Sequence, residues 1–177
     1  DGHDVVGVTL KQWEGADGAL PEAGGITDTN ATEARRPAPT HGLRYYVLDY
    51  EQECRSEVVD RFAEQYAAGR TPNPCIECNR RVRFRALLER TAKLGCDLLV
   101  TGHHARVRTD ASGRHRLLKA ADSGNDQSYV LHMLGQEQLQ RVRFPVGEMT
   151  KAEVRIRADE LGLRTAAKPD SQDLCFV

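Results

Sequence analysis

No apolar run in this sequence is long enough to cross a membrane. No signal peptide opens it: Asp1-Gly2-His3-Asp4 has neither a basic start nor an apolar h-region. A cytoplasmic protein with no membrane partner is the expectation. Internal repeats and low-complexity tracts are also missing, which leaves an ordinary globular chain. An even cysteine count is lacking too. Five cysteines in a chain with no secretory signal argue against a framework of structural disulfides and for catalytic or metal-binding thiols. There is no initial methionine, and the chain runs almost at once into Val5-Val6-Gly7-Val8 and ends on Leu174-Cys175-Phe176-Val177. Both ends read as cut.

What is present suffices for one domain with a core and the start of a second: 177 residues, 40% hydrophobic and 29% charged. The net charge of −1 hides an asymmetry, about −7 over residues 1–69 against +6 over 70–177. Basic residues are densest at Arg80-Arg81-Val82-Arg83-Phe84-Arg85. Arginine neutralises phosphates and forks onto their oxygens, so RNA is one explanation; a solvated helix face is the other.

Hydrophobic spacing predicts strands over Val5–Leu10, Arg44–Leu48 and Asp97–Thr101, and a hairpin pairing Ala105–Arg108 with His115–Lys119. Helices are predicted over Glu53–Ala68, Asn79–Leu94 and Gln136–Arg141. A further helix runs to Leu161 behind the capping box Thr150-Lys151-Ala152-Glu153, with Gly69, Gly95 and Gly162 as stops. Residues 15–40 are rich in Gly, Asp, Thr and Pro, and Pro37 and Pro39 break any helix begun at Thr29. Strands alternating with helices predict an α/β domain with a mainly parallel sheet. Ligands of such sheets sit beyond the carboxyl ends of strands, here the loops after Leu10 and from Gly102.

Four segments carry candidate chemistry. In Pro72-Asn73-Pro74-Cys75-Ile76-Glu77-Cys78-Asn79, two prolines fix the backbone ahead of two thiols. Cys78 and Asn79 are expected at a helix start, where unpaired N–H groups and the helix dipole favour thiolate. Catalysis, a zinc or cluster site, a redox dithiol and a buried structural role all remain open from these residues alone. Lys168-Pro169-Asp170-Ser171-Gln172-Asp173-Leu174-Cys175-Phe176 adds one more thiol, by itself an ordinary core cysteine. Thr101-Gly102-His103-His104-Ala105 offers a glycine where a nucleotide can approach the backbone and a histidine able to meet phosphate or base, or else a plain surface turn. Asn125-Asp126-Gln127-Ser128-Tyr129 alone reads as a helix cap. Cys54 and Cys96 fall inside helical and strand-edge patterns and read as structural.

Taken in order, Pro-Asn-Pro-Cys-x-x-Cys-Asn, Thr-Gly-His-x-Ala-Arg, Asp-Gln-Ser-Tyr, Phe-Pro-x-Gly and Lys-Pro-Asp-Ser-Gln-x-x-Cys-Phe resemble the bacterial tRNA-specific 2-thiouridylase family from Val5 to Val177. The resemblance implies a doubly wound α/β fold of the ATP-pyrophosphatase kind, with residues 1–149 forming an incomplete nucleotide-binding domain. Residues 150–177 would end that domain and begin a middle domain. It implies an ATP-dependent sulfurtransferase acting on the wobble uridine of tRNA, with Mg2+ beside ATP and a cysteine desulfurase or sulfur-relay protein as donor. By motif position, Cys175 is the persulfide carrier and Cys78 the partner nucleophile. Asn73, Pro74 and Cys75 match the segment that meets the target base, and Leu10 and Gly102 match nucleotide contacts. His103, Asn125, Asp126 and Gln127 match tRNA contacts. Cys75, with Cys78 and Cys175, would also complete a three-thiolate site for a [4Fe–4S] cluster.

Departures from the family's pattern are visible. No Ser-Gly-Gly-x-Asp-Ser pyrophosphate loop occurs, so this chain by itself is expected not to turn over. Asn125 stands where the family usually has Lys, and His104 where it usually has Tyr.

Overall fold

The computed structural model describes residues 2–12, 35, 38, 42–167 and 176, apart from the side chains of 164 and 165. The chain divides into two compact units, Asp1–Pro74 with Pro169–Val177, and Cys75–Lys168.

In the first unit β1 (Val6–Lys11) and β2 (Arg44–Asp49) pair in parallel, Val6 opposite Arg44 through Lys11 opposite Asp49. The Tyr45 ring lies across Gly7, where an added Cβ would come within 2.8 Å of it, and the Tyr45 hydroxyl bonds Thr9 Oγ1. A side chain at position 7 would push that ring away, which explains a glycine inside a β-branched strand. Tyr50 hands the chain from strand to helix: its N–H donates to Lys11 O at 2.8 Å and its carbonyl accepts the Cys54 N–H at 2.9 Å. Helix α1 (51–67) follows, with Cys54 and Val58 buried one turn apart. Its Arg55–Val59 segment is wound wider than an α-helix, the Asp60 N–H reaching Arg55 O five residues back. Phe62 packs against Tyr66 and Phe176, with centroids 5.9 and 5.5 Å apart. The expected break at Pro37 and Pro39 lies outside the described residues.

In the second unit the leading element is α2 (74–93), made of Pro74–Glu77, the i→i+5 wound Cys78–Ala86, and Leu87–Lys93. It starts at Pro74, not at the expected Asn79. Proline suits a first helical turn because its missing N–H has no intrahelical partner there and its φ is preset. Val82, Phe84, Leu87, Leu88 and Thr91 face inward. The chain then enters β3 (Leu99–Val100), shorter than expected, which pairs in parallel with β6 (Val142–Arg143). Between them lie the antiparallel hairpin of β4 (Ala105–Thr109) and β5 (His115–Lys119), and α3 (Gln136–Arg141), as the sequence predicts. The Gln136 side chain ties these together: its Oε1 accepts the His115 N–H at 2.8 Å and its Nε2 donates to His115 O at 2.9 Å.

A 3₁₀ turn, Pro145–Glu148, packs on β4 so closely that a Cβ at Gly147 would sit 1.7 Å from Ala105 O. Helix α4 (Lys151–Glu160) opens with the predicted box: the Glu153 N–H donates to Thr150 Oγ1 at 3.2 Å, and the Thr150 N–H to Glu153 Oε2 at 2.7 Å. Gly69, Gly95 and Gly162 follow helix ends with φ of 73°, 75° and 67°, the left-handed turn expected of them. Helices interleaved with parallel strand pairs place the chain in the α/β class. The described strands form three two-stranded sheets, two of them parallel.

Candidate functional site

The second unit gathers most of the sequence-predicted residues around α2 and the loop leaving β3. Because the helix begins at Pro74, Cys78 does not occupy its first turn, as expected from sequence; Cys75 does. Cys75 is exposed and Cys78 half-buried. Packing around the Cys75 sulfur pushes its thiol up, the neighbouring Cys78 pushes it further, and the Arg83 guanidinium works in the opposite direction. The helix-start argument for a thiolate therefore does not carry over to Cys78.

His103 and His104 are both buried, which removes the surface-turn reading. The His103 ring lies among Phe84 and Phe144, with centroids 5.7 and 5.9 Å away, while those two phenyl rings meet edge-on at 6.2 Å. Its Nδ1 is hydrogen-bonded to Thr101 Oγ1 at 2.8 Å. Burial first, then the Arg83 guanidinium and the neighbouring His104, lower its pKa to about 4. His103 is thus a neutral imidazole near pH 7, able to exchange hydrogen bonds but carrying no charge to offer a phosphate. At Gly102 an added Cβ would meet no heavy atom within 4 Å among the described residues, so the backbone there is open to close approach.

The Asn125–Gln127 segment is held by its own side chains. Asn125 Nδ2 donates to Asp122 Oδ2 at 2.9 Å. Asp126 Oδ1 accepts the Ala120 N–H at 2.8 Å, and its Oδ2 accepts the Ser128 hydroxyl at 2.8 Å. Gln127 Oε1 accepts the His104 N–H at 2.9 Å. These bonds join the end of the hairpin to the His103–His104 loop; the 3₁₀ turn Ser128–Val130 that follows has no side-chain cap at Gln127, so the helix-cap reading of this segment does not hold. Asn73 is exposed just before α2, and Pro74 is buried at its start. In the first unit, Leu10 is buried in β1 opposite Leu48. Cys175 lies outside the described residues, as does the rest of its motif except Phe176. Among the described residues no three His, Cys, Asp or Glu side chains converge as a metal-ligand set, and no helix is long and apolar enough to cross a membrane.

Several residues of this site carried no assignment from sequence. Thr101, Phe84 and Phe144 frame His103, and Phe144 belongs to the Phe-Pro-x-Gly motif whose purpose the sequence left blank. Arg83 sat inside a basic run with nothing to set it apart. Its neighbours Arg80 and Arg81 bind the two oxygens of Glu77 at 2.9 and 2.8 Å, whereas Arg83 Nε and Asn79 Oδ1 are buried with no hydrogen-bond partner among the described residues.

The site belongs to an α/β domain with an open glycine after a strand and thiols on the adjoining helix. Residues 1–177 match the family described as the tRNA methyl transferase HUP domain, and the chain belongs to that family. Its relatives are more particular. The chain is 48% identical over 191 residues to the tRNA-specific 2-thiouridylase MnmA of Roseiflexus castenholzii (strain DSM 13941 / HLO8), with 99% of this chain and 52% of that protein covered. It is 46% identical over 182 residues to the protein of that name from Geobacter metallireducens (strain ATCC 53774 / DSM 7210 / GS-15), with 100% and 49% covered. It is 48% identical over 176 residues to that of Xanthobacter autotrophicus (strain ATCC BAA-1158 / Py2), with 99% and 45% covered. The chain spans about half the length of the curated relatives it matches.

Proposed function

We propose that this chain is the nucleotide-binding part of an enzyme that replaces the C2 oxygen of a tRNA wobble uridine by sulfur. The observation that carries the reading is 46–48% identity, over essentially the whole chain, to relatives named tRNA-specific 2-thiouridylase. The chemistry asks for an activated oxygen and a soft nucleophile. ATP transfers its adenylyl group to the uracil C2 oxygen and releases pyrophosphate. The terminal sulfur of a persulfide on Cys175 bonds C2, and AMP leaves with the original oxygen. Attack by the Cys78 sulfur on the Cys175 sulfur then breaks the S–S bond to the transferred atom, freeing 2-thiouridine and leaving a Cys78–Cys175 disulfide. An external dithiol reduces that disulfide. A cysteine desulfurase or relay protein reloads Cys175.

On this reading Gly102, with no side chain to obstruct approach, and Leu10 lie beside the nucleotide. Mg2+ accompanies its phosphates, and Asn73, Pro74 and Cys75 meet the flipped base. Neutral His103 and the Asn125–Gln127 segment serve the tRNA side. The domain division at residues 149 and 150 belongs to the same reading.

The test uses the full-length protein with tRNA, ATP and a sulfur donor, with thiolated uridine measured by mass spectrometry. Cys78→Ser and Cys175→Ser abolish product, whereas Cys54→Ser and Cys96→Ser keep it. The reverse pattern overturns the assignment. A cluster held by Cys75, Cys78 and Cys175 is the alternative sulfur carrier. Iron and sulfide analysis after anaerobic reconstitution separates the two, since a colourless, iron-free and active protein excludes the cluster.

A further inference from the structure

Two half-buried arginines of the second unit are neutralised by carboxylates. Arg81 lies on Glu77 at 2.8 Å and Arg106 on Glu148 at 3.0 Å. Arg83 differs: it is half-buried and its Nε is fully enclosed, yet no carboxylate and no hydrogen-bond acceptor meets it among the described residues. The groups that feel its charge are not anions either. They are Cys75, whose thiol burial and Cys78 push up, and the neutral imidazole of His103. An enclosed Nε–H without an acceptor is costly, while the terminal nitrogens of Arg83 are not enclosed with it and remain available to a ligand.

The helix that carries Arg83 is itself wound unusually. In an α-helix, residues five apart lie about 140° apart around the axis. From Cys78 to Ala86 the helix is instead wound i→i+5, and the Leu87 N–H reaches Val82 O. Residues five apart then come closer to one face than in an α-helix, and the Arg83 charge acts on Cys75 and on His103. Asn79, one residue past Cys78 and also buried with an unpartnered Oδ1, borders the same stretch. Such wide segments recur at functional sites.

We propose that Arg83 is a phosphate-binding residue of the candidate site, its guanidinium taking a phosphate oxygen of the substrate beside Cys75. The proposal rests on the tRNA and ATP reading above for the identity of the substrates. Arginine suits the task because its planar fork presents paired donors to phosphate. Two substrates carry that group, the tRNA backbone and the nucleotide, and the experiment separates them.

The full-length protein and its Arg83→Gln and Arg83→Lys variants are compared by tRNA filter binding across a salt series, and by equilibrium binding of ATP. Arg80→Gln, which removes an exposed arginine already held by Glu77, serves as control, and melting temperatures confirm folding. Arg83→Gln lowers affinity for one of the two probes about tenfold, while Arg83→Lys, which keeps the charge but loses the fork, recovers part of it. A weaker tRNA complex with its salt slope reduced by about one identifies a backbone phosphate. A weaker ATP complex with tRNA binding intact identifies the nucleotide. Folded Arg83→Gln protein that binds both probes like the unmodified protein overturns the proposal, as does a loss equalled by Arg80→Gln. Neither assay involves sulfur transfer, so a failed Cys78 assignment leaves this result standing, and the converse also holds.

Discussion

Gln127 and His104 hold each other through a reciprocal pair of hydrogen bonds: the His104 N–H donates to Gln127 Oε1 at 2.9 Å, and the Gln127 N–H donates to His104 O at 2.8 Å. Only the first uses a side chain, so it can be removed alone. Gln127→Ala strands the N–H of a buried residue and is expected to cost about 1–3 kcal/mol in urea unfolding. Gln127→Glu keeps an acceptor and loses less. Equal stability of the Ala variant and the unmodified protein would show that this clamp does not hold the loop.

His103 makes stability depend on pH in a definite direction. Its pKa falls from 6.5 to about 4 in the folded state, so between those values the unfolded chain binds a proton that the folded chain refuses. Stability from this group is complete above pH 6.5, declines as pH falls, and reaches its floor near pH 4, a total of about 3 kcal/mol. An NMR titration of the His103 ring proton should give a midpoint near 4, and His103→Gln should flatten that part of the unfolding curve. A midpoint near 6.5 contradicts the buried environment.

Gly147→Ala places a methyl group inside the contact distance of a backbone carbonyl, 1.7 Å from Ala105 O. The 3₁₀ turn must lift from β4, which also pulls Glu148 from Arg106 and draws Phe144 off the His103 ring. A loss of roughly 3 kcal/mol or more is expected, read as a lower melting temperature, together with an upward drift of the His103 midpoint as water reaches the imidazole.

Thr150→Ala removes the side-chain acceptor for the Glu153 N–H at the start of α4 and is expected to cost about 1 kcal/mol. Thr150→Ser preserves it. Asp122 gives a second hold on this terminus, its Oδ2 accepting the Lys151 N–H at 3.0 Å, and that bond keeps its carboxyl below the ordinary range. Thermal melts of Thr150→Ala, Asp122→Ala and the double variant should show losses that do not add, because both residues serve one helix end.

Elements specified by neighbours in sequence were legible in advance. The Thr150–Glu153 box, the β4–β5 hairpin and the glycine stops each depend on residues within a few positions, and each stands where the pattern puts it. The start of α2 was misread because Pro72 and Pro74 looked like one rigid turn, when the second opens the helix. The burial of His103 was not legible: it depends on Phe84 and Phe144, which lie far away along the chain and reach it only through tertiary packing. Arg83 was hidden for a similar reason. Within Arg80–Arg85 all four arginines look alike, and only the positions of Glu77 and of the helix winding separate the neutralised from the unmatched. The ordered motifs revealed the family, while the chemistry of single residues such as His103, a neutral ring and not a cation, needed the fold.

The wide winding from Cys78 to Ala86 also makes α2 a register shifter. At 100° per residue, deleting a single position within it would restore the ordinary helical repeat and rotate everything downstream against everything upstream. Leu87, Leu88 and Thr91, now turned inward, could not keep their places while Cys75 and Cys78 kept theirs. Length in this stretch is therefore constrained more tightly than composition. Substitutions at its exposed positions change a surface, whereas one lost or gained residue uncouples the thiols from the core that aims them.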